Sequence, residues 1–153
     1  MKRFLILFLT IILTNCSNDV QFNTPAVQAD KNYKLWRANY FDAVVDDAGV
    51  LILKSGNILE TLTMTLPSLK ETTYNLSDKS AAVITFVDEE NITYSTRNSP
   101  TIEDQNFPEI GTIKITKIDG NTFSGDFRFV AFTADGKNAV GFNNGIIYQV
   151  PFR

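Results

Sequence analysis

The sequence predicts an all-β domain, an antiparallel β-sandwich or small β-barrel of about nine or ten strands. Three observations predict it. Apolar and polar residues alternate with a period of two, most clearly in Thr122–Phe132. There Phe123, Gly125, Phe127, Phe129 and Ala131 share one face, and Ser124, Asp126 and Arg128 share the other. Thr and β-branched residues dominate the periodic segments, and these favour pleated backbone. Turn residues interrupt the segments at short intervals, and no later segment keeps helical spacing beyond a turn or two.

The chain opens with Met1-Lys2-Arg3 and an apolar run from Phe4 to Leu13. Two positive charges before a short apolar stretch form an export signal, so residues 1–15 read as a lipoprotein signal peptide. The run is too short for a spanning helix, which needs roughly 20 residues. Leu13-Thr14-Asn15-Cys16 resembles a bacterial lipobox, with Asn15 where that pattern prefers Gly, Ala or Ser. The resemblance implies that Cys16 carries a diacylglycerol and becomes the first mature residue. Residues 16–32 are polar, contain Pro25, and read as a lipidated tether. Phe22 and Val27 could instead dock as an irregular first strand. Asp19 alone is a weak version of the acidic surface-export signal of some lipoproteins of the Bacteroidetes type.

The β domain is expected over residues 33–153. Tyr33 to Tyr40 places Trp36, Ala38 and Tyr40 on one face. Ala43–Val45 meets the turn Asp46-Asp47-Ala48-Gly49, and Val50–Leu53 is stopped by Ser55-Gly56-Asn57. Ile58 to Leu66 sets Ile58, Leu62, Met64 and Leu66 against Thr61, Thr63 and Thr65, and Pro67 ends it. Thr72–Leu76 is a short strand. Ala82–Val87 and Asn91–Thr96 form a hairpin with Asp88, Glu89 and Glu90 at its tip. Residues 97–109 are a long loop with two prolines and acids including Glu103 and Asp104. Gly111–Ile118 turns through Asp119-Gly120-Asn121 into Thr122–Phe132. After Asp135-Gly136, Val140, Phe142, Ile146, Tyr148, Val150 and Phe152 share a parity.

Composition excludes several chemistries. The 153 residues include one Cys and no His. An internal disulfide cannot form, and neither Ser–His nor Cys–His catalysis nor His-liganded zinc can be built from this chain. Removal of residues 1–15 leaves 12 basic and 17 acidic side chains over 138 residues, a net charge of −5. An acidic domain lacks the basic face that nucleic acid needs. It also lacks the charge for peripheral binding to an anionic leaflet, so the lipid must hold it there.

Each remaining candidate has a plain structural role beside a functional one. The stripe Phe123, Phe127, Phe129 reads as core, though in a barrel it could line an apolar pocket. Trp36 reads as a core anchor. Asp42, Asp46, Asp47, Asp88, Glu89, Glu90, Glu103 and Asp104 lack the spacing that selects a catalytic carboxylate pair or a calcium loop. Lys114 and Arg128 are expected as cross-strand neighbours of Glu109 or Asp126 on a solvated sheet face. Asn75 and Asn91 begin glycosylation triplets that match by chance in such a setting.

Several stretches resemble the DUF6252-like family of small Bacteroidetes lipoproteins of unknown function. They are Leu35-Trp36-Arg37-Ala38, Thr61–Thr65, Thr73–Leu76, Gly111–Lys117, Phe123–Phe129 and Asn144–Phe152. The resemblance implies a membrane-anchored, all-β, extracytoplasmic domain, and it carries over no catalytic or binding residue. The expected function is therefore a non-enzymatic binding or accessory role in the cell envelope, at the outer membrane, without a cofactor. The expected partners are the bilayer, through acylated Cys16, and envelope proteins or glycans. The exposed turns at Asp46, Asp47, Asp88, Glu89 and Glu90 and the loop with Glu103 and Asp104 are the candidate contact points. The alternative is a carrier of a small apolar ligand in a lipocalin-like barrel.

Overall fold

The computed structural model describes Thr24 and residues 26–101 and 110–153. Cys16, the signal peptide, Phe22, Glu103, Asp104 and Glu109 lie outside the described residues. Among the described residues eleven strands form one sheet. They are β1 (Ala26–Lys31), β2 (Lys34–Arg37), β3 (Tyr40–Val45), β4 (Leu51–Gly56), β5 (Thr61–Leu66), β6 (Thr73–Leu76), β7 (Val83–Val87), β8 (Thr93–Ser95), β9 (Gly111–Asp119), β10 (Thr122–Phe132) and β11 (Ala139–Pro151). The order is β2-β1-β11-β10-β8-β7-β5-β4-β3, with β9 on β10 and β6 on β9. Every named pair is antiparallel.

The strand beyond the expected nine or ten is β1. Residues 26–31, assigned from sequence to the tether, are strand β1 between β2 and β11. Ala26, Val27 and Ala29 are buried there, so three small apolar side chains outweigh the polar composition around them. The expected strand Tyr33–Tyr40 also divides. Ala38 N donates to Val27 O at 2.9 Å, while Asn39 N donates to Gly56 O at 2.7 Å. The chain thus leaves β1 and joins β4 within two residues.

That switch curls the sheet. On the other side Ala43 makes a parallel bridge to Phe152, and Val45 N donates to Arg153 O at 2.8 Å. The inward face fills with large side chains. Phe142 stacks on Phe129 at 4.8 Å and meets Phe86 and Trp36 edge-on at 5.1 and 5.6 Å. Leu51, Leu53, Leu62, Met64, Leu66, Ile84, Ile113 and Ile115 complete the core. Phe123, Phe127 and Phe129 belong to it, as expected for a core stripe.

Two expected inward faces are corrected. Ile58 lies in the β4–β5 turn and is 92% exposed, because Asn57 closes a turn before the strand begins. In β11, Ile147 is buried in place of Ile146 and Tyr148. Asn144 and Gln149 take positive φ (50° and 45°) beside two register shifts against β10. Each extra residue flips the parity once.

Candidate functional site

The antiparallel registers sort the turns into two ends. Lys31 pairs with Lys34, Gly56 with Thr61, and Val87 with both Thr61 and Thr93. The β1–β2, β4–β5 and β7–β8 turns therefore share one end. Val45 pairs with Leu51 and bonds to Arg153, so the β3–β4 turn and the C-terminus share the other.

At the first end, Asn32 and Tyr33 form a two-residue hairpin turn with φ of 47° and 66°. That is the I′ geometry, which asks for two left-handed residues. Asn32 suits it, and its backbone N and side-chain Oδ1 bond Gly141 O and N at 2.9 and 3.0 Å. Tyr33 stands where Gly is usual and is 95% exposed. In the neighbouring turn Asn57 Oδ1 accepts from Leu59 N and Glu60 N, both at 2.9 Å. The Asn carbonyl thereby shapes the turn and pushes Ile58 and Leu59 outward.

Glu60 joins the two hairpins. It is 8% exposed, the one charged residue among the buried polar groups described. Lys31 Nζ pairs with its Oε1. Trp36 Nε1 and Asn57 Nδ2 both donate to its Oε2 at 2.8 Å. Lys31 Nζ also lies 5.4 Å from the Phe86 ring centre. A buried carboxylate is tolerated when every oxygen has partners, as here. Through these bonds Glu60 braces β1, β2 and the β4–β5 turn against one another.

Beside this brace lies a solvent-open groove of about 550 Å³. Its walls include Lys34, Leu35, Arg37, Ile58, Leu59 and Glu89. Leu35 and Leu59 are 73% and 62% exposed. With Tyr33 and Ile58, four of the most exposed large apolar side chains gather at this end.

The structure separates the acids named from sequence. Asp46 and Asp47 lie at the far end, whereas Asp88, Glu89 and Glu90 lie near the groove, where Glu89 lines its rim. Asp46 Oδ1 accepts from Ala48 N and Val50 N at 2.9 and 2.8 Å. Asp88 Oδ1 accepts in the same pattern from Glu90 N and Ile92 N, at 3.0 and 2.9 Å. Gly49 and Asn91 supply the positive φ that each turn requires. Both aspartates therefore build turns. Tyr94, which donates to Asp88 Oδ2 at 3.2 Å, has its phenol pKa raised, first by burial and then by the Asp88 charge. Lys114 stands opposite Asp126, one of the neighbours expected for it.

Sequence reasoning missed the groove residues Lys34, Leu35, Arg37, Ile58 and Leu59 and the brace Lys31–Glu60. One signal was present. Glu60 occupies an inward position of the Leu62, Met64, Leu66 alternation, where a charge needs partners. Among the described residues no group of three His, Cys, Asp or Glu could hold a metal ion. Among them no helix is long and apolar enough to cross a membrane.

Comparison with known proteins found no match among curated proteins and none among solved structures. A family described as a domain of unknown function, DUF6252, matches residues 23–151, a span that takes in all eleven strands. With that span covering most of its length, the chain belongs to the DUF6252 family.

Proposed function

We propose that this chain is a lipid-anchored protein of the cell envelope whose β domain has a non-enzymatic binding or accessory role at the outer membrane. In this reading residues 1–15 direct export and Cys16 carries the lipid, as the charged start and apolar run suggest. The binding role rests on one observation: Leu35, Ile58 and Leu59 line one groove and are strongly exposed, with Tyr33 exposed in the adjoining hairpin turn. Clustered exposed apolar residues mark interaction sites, whereas scattered ones do not. The use of Asp46 and Asp88 as turn caps, and the full coordination of Glu60, support a role without acid–base chemistry.

We read the curled sheet as a barrel rather than a sandwich. β1, the joined β2 and β3, β4, β5, β7, β8, β10 and β11 alternate in direction, and each bonds to the next. The carrier alternative has weaker support, since Phe123, Phe127 and Phe129 pack into the core with Phe142 and Phe152.

Two measurements test the proposal. Cys16→Ser should move the protein from the membrane fraction to the soluble fraction, and unchanged fractionation would defeat the anchor. Capture of envelope components by the tethered protein should fall in the double variant Ile58→Ser, Leu59→Ser. Equal capture by both forms would remove the groove from the binding role.

A further inference from the structure

We propose that the groove end is a second membrane contact, in which the two hairpin tips enter the headgroup region of a phospholipid surface. The proposal names the partner for the binding end described above and rests on the anchor reading for the choice of leaflet.

Shape is the first support. Tyr33 and Ile58 sit at turn tips with 95% and 92% of their surface exposed, so they project from the fold, Ile58 at the edge of the groove. A projecting apolar group suits a soft interface, and Tyr is favoured at the headgroup level. Strain is the second. Tyr33 holds φ at 66°, a left-handed conformation that bulky L-residues rarely adopt. The fold sustains it through the two bonds between Asn32 and Gly141. A strained, exposed aromatic residue held by its neighbours points to a use outside the fold.

Charge is the third. The chain is acidic overall, with a net charge of −3, and this groove is bordered by Lys31, Lys34 and Arg37 together with Glu60 and Glu89. Lys31 is held by Glu60, while neither Lys34 nor Arg37 forms an ion pair among the described residues. Both are exposed behind the apolar tips, where they meet lipid phosphates once the tips are inserted. Overall repulsion makes this contact depend on the apolar tips and on nearness to the membrane.

Nearness follows from chain length. Cys16 to Pro25 is ten residues, which span at most about 35 Å. β1 is six residues, about 20 Å, and runs from the tether to the tips. A lipid on Cys16 thus leaves enough chain for the tips to fold back onto the same leaflet.

The test holds residues 16–153 with Cys16→Ser on vesicles through an N-terminal histidine tag and a nickel-chelating lipid, and places a polarity-sensitive dye on single cysteines. Ile58→Cys and Leu35→Cys report the tips, and Asp47→Cys reports the opposite end. Vesicles of phosphatidylethanolamine and phosphatidylglycerol should brighten and blue-shift the dye at positions 58 and 35 and leave position 47 unchanged. Adding Tyr33→Ser and Leu59→Ser should weaken that partition at least about tenfold, given the apolar area removed. Equal response at all three positions, or none at 58 and 35, would overturn the proposal. So would a concentration-dependent shift without vesicles, which assigns the tips to a second copy. If the tips stay in water while envelope capture still depends on Ile58 and Leu59, the partner is a protein or glycan, and only the lipid proposal falls.

Discussion

Glu60 collects donors from β1, β2 and its own turn, so its removal should be felt beyond one contact. Glu60→Ala leaves the Lys31 ammonium, the Trp36 indole N–H and the Asn57 amide without acceptors. Lys31 is partly exposed and can turn to water, while Trp36 is buried and cannot. The expected loss is about 2–4 kcal/mol of stability, and Glu60→Gln, which keeps an acceptor, should lose roughly half as much. Urea unfolding followed by the emission of Trp36, the one tryptophan, measures both, and an unchanged midpoint for Glu60→Ala would refute the brace. Asp135 offers a second residue-scale test. The Thr133 hydroxyl at 2.6 Å, followed by the Lys137 amide, holds its carboxyl below the usual carboxylate range. A carboxylate with a lowered folded pKa stabilises above its ordinary value and loses that contribution as pH falls through the folded one. Asp135→Asn should therefore lose less stability than the parent between neutral pH and pH of about 2–3. Identical acid limbs for the two proteins would show that the Thr133 bond has no bearing on stability.

At the level of elements, β10 and β11 show where period-two reading succeeds and where it fails. β10 keeps its alternation from Phe123 to Ala131, where the buried residues are those expected, and Phe132 at its end is buried out of step. β11 lies against it with two extra residues, at Asn144 and Gln149, and the expected parity fails between them. Nothing in apolar periodicity announces a bulge; the faint sign was Asn-Asn-Gly at 143–145, residues that tolerate left-handed backbone. The same blindness hid the β4–β5 turn, because Ile58 happens to share parity with Leu62. The bulged register brings Gly145 onto Phe127, where an added Cβ would stand 2.5 Å from both the Phe127 carbonyl oxygen and its ring. A backbone oxygen inside a ladder cannot step aside. Gly145→Ala should cost about 1–3 kcal/mol, the range for overpacking, and should disturb the Phe127–Phe129–Phe142 stack. Urea denaturation gives the first quantity and ring-proton chemical shifts the second. Full stability in this variant would mean that the β11 bulge can slide.

For the whole molecule, the question left open by sequence was how the strands meet. Alternation marks which face is buried but not whether that face curls on itself or meets a second sheet. The deciding contacts are backbone bonds between distant residues, which carry no side-chain signature. Ala38 and Asn39 donate to different strands, and the last two residues reach β3. Phe152 and Arg153 therefore carry a specific load. Val45 N donates to Arg153 O, Arg153 N to Ala43 O at 3.1 Å, and Phe152 N to Asn121 O at 2.9 Å. The Phe152 ring packs 6.3 Å from Phe123. The Arg153–Asp42 ion pair at 3.1 Å is exposed on both sides and adds little. Truncation after Pro151 removes the three bonds and the ring, with an expected loss of about 3 kcal/mol. Asp42→Ala removes only the ion pair and should stay within about 0.5 kcal/mol. Amide hydrogen exchange separates closure from general weakening. In the truncated chain under native conditions, the Val45 amide should lose protection first, while the β10–β11 ladder keeps most of its own. If both regions lose protection together, the C-terminal pair contributes only to overall stability, and the curl is held by the β2–β3 switch alone.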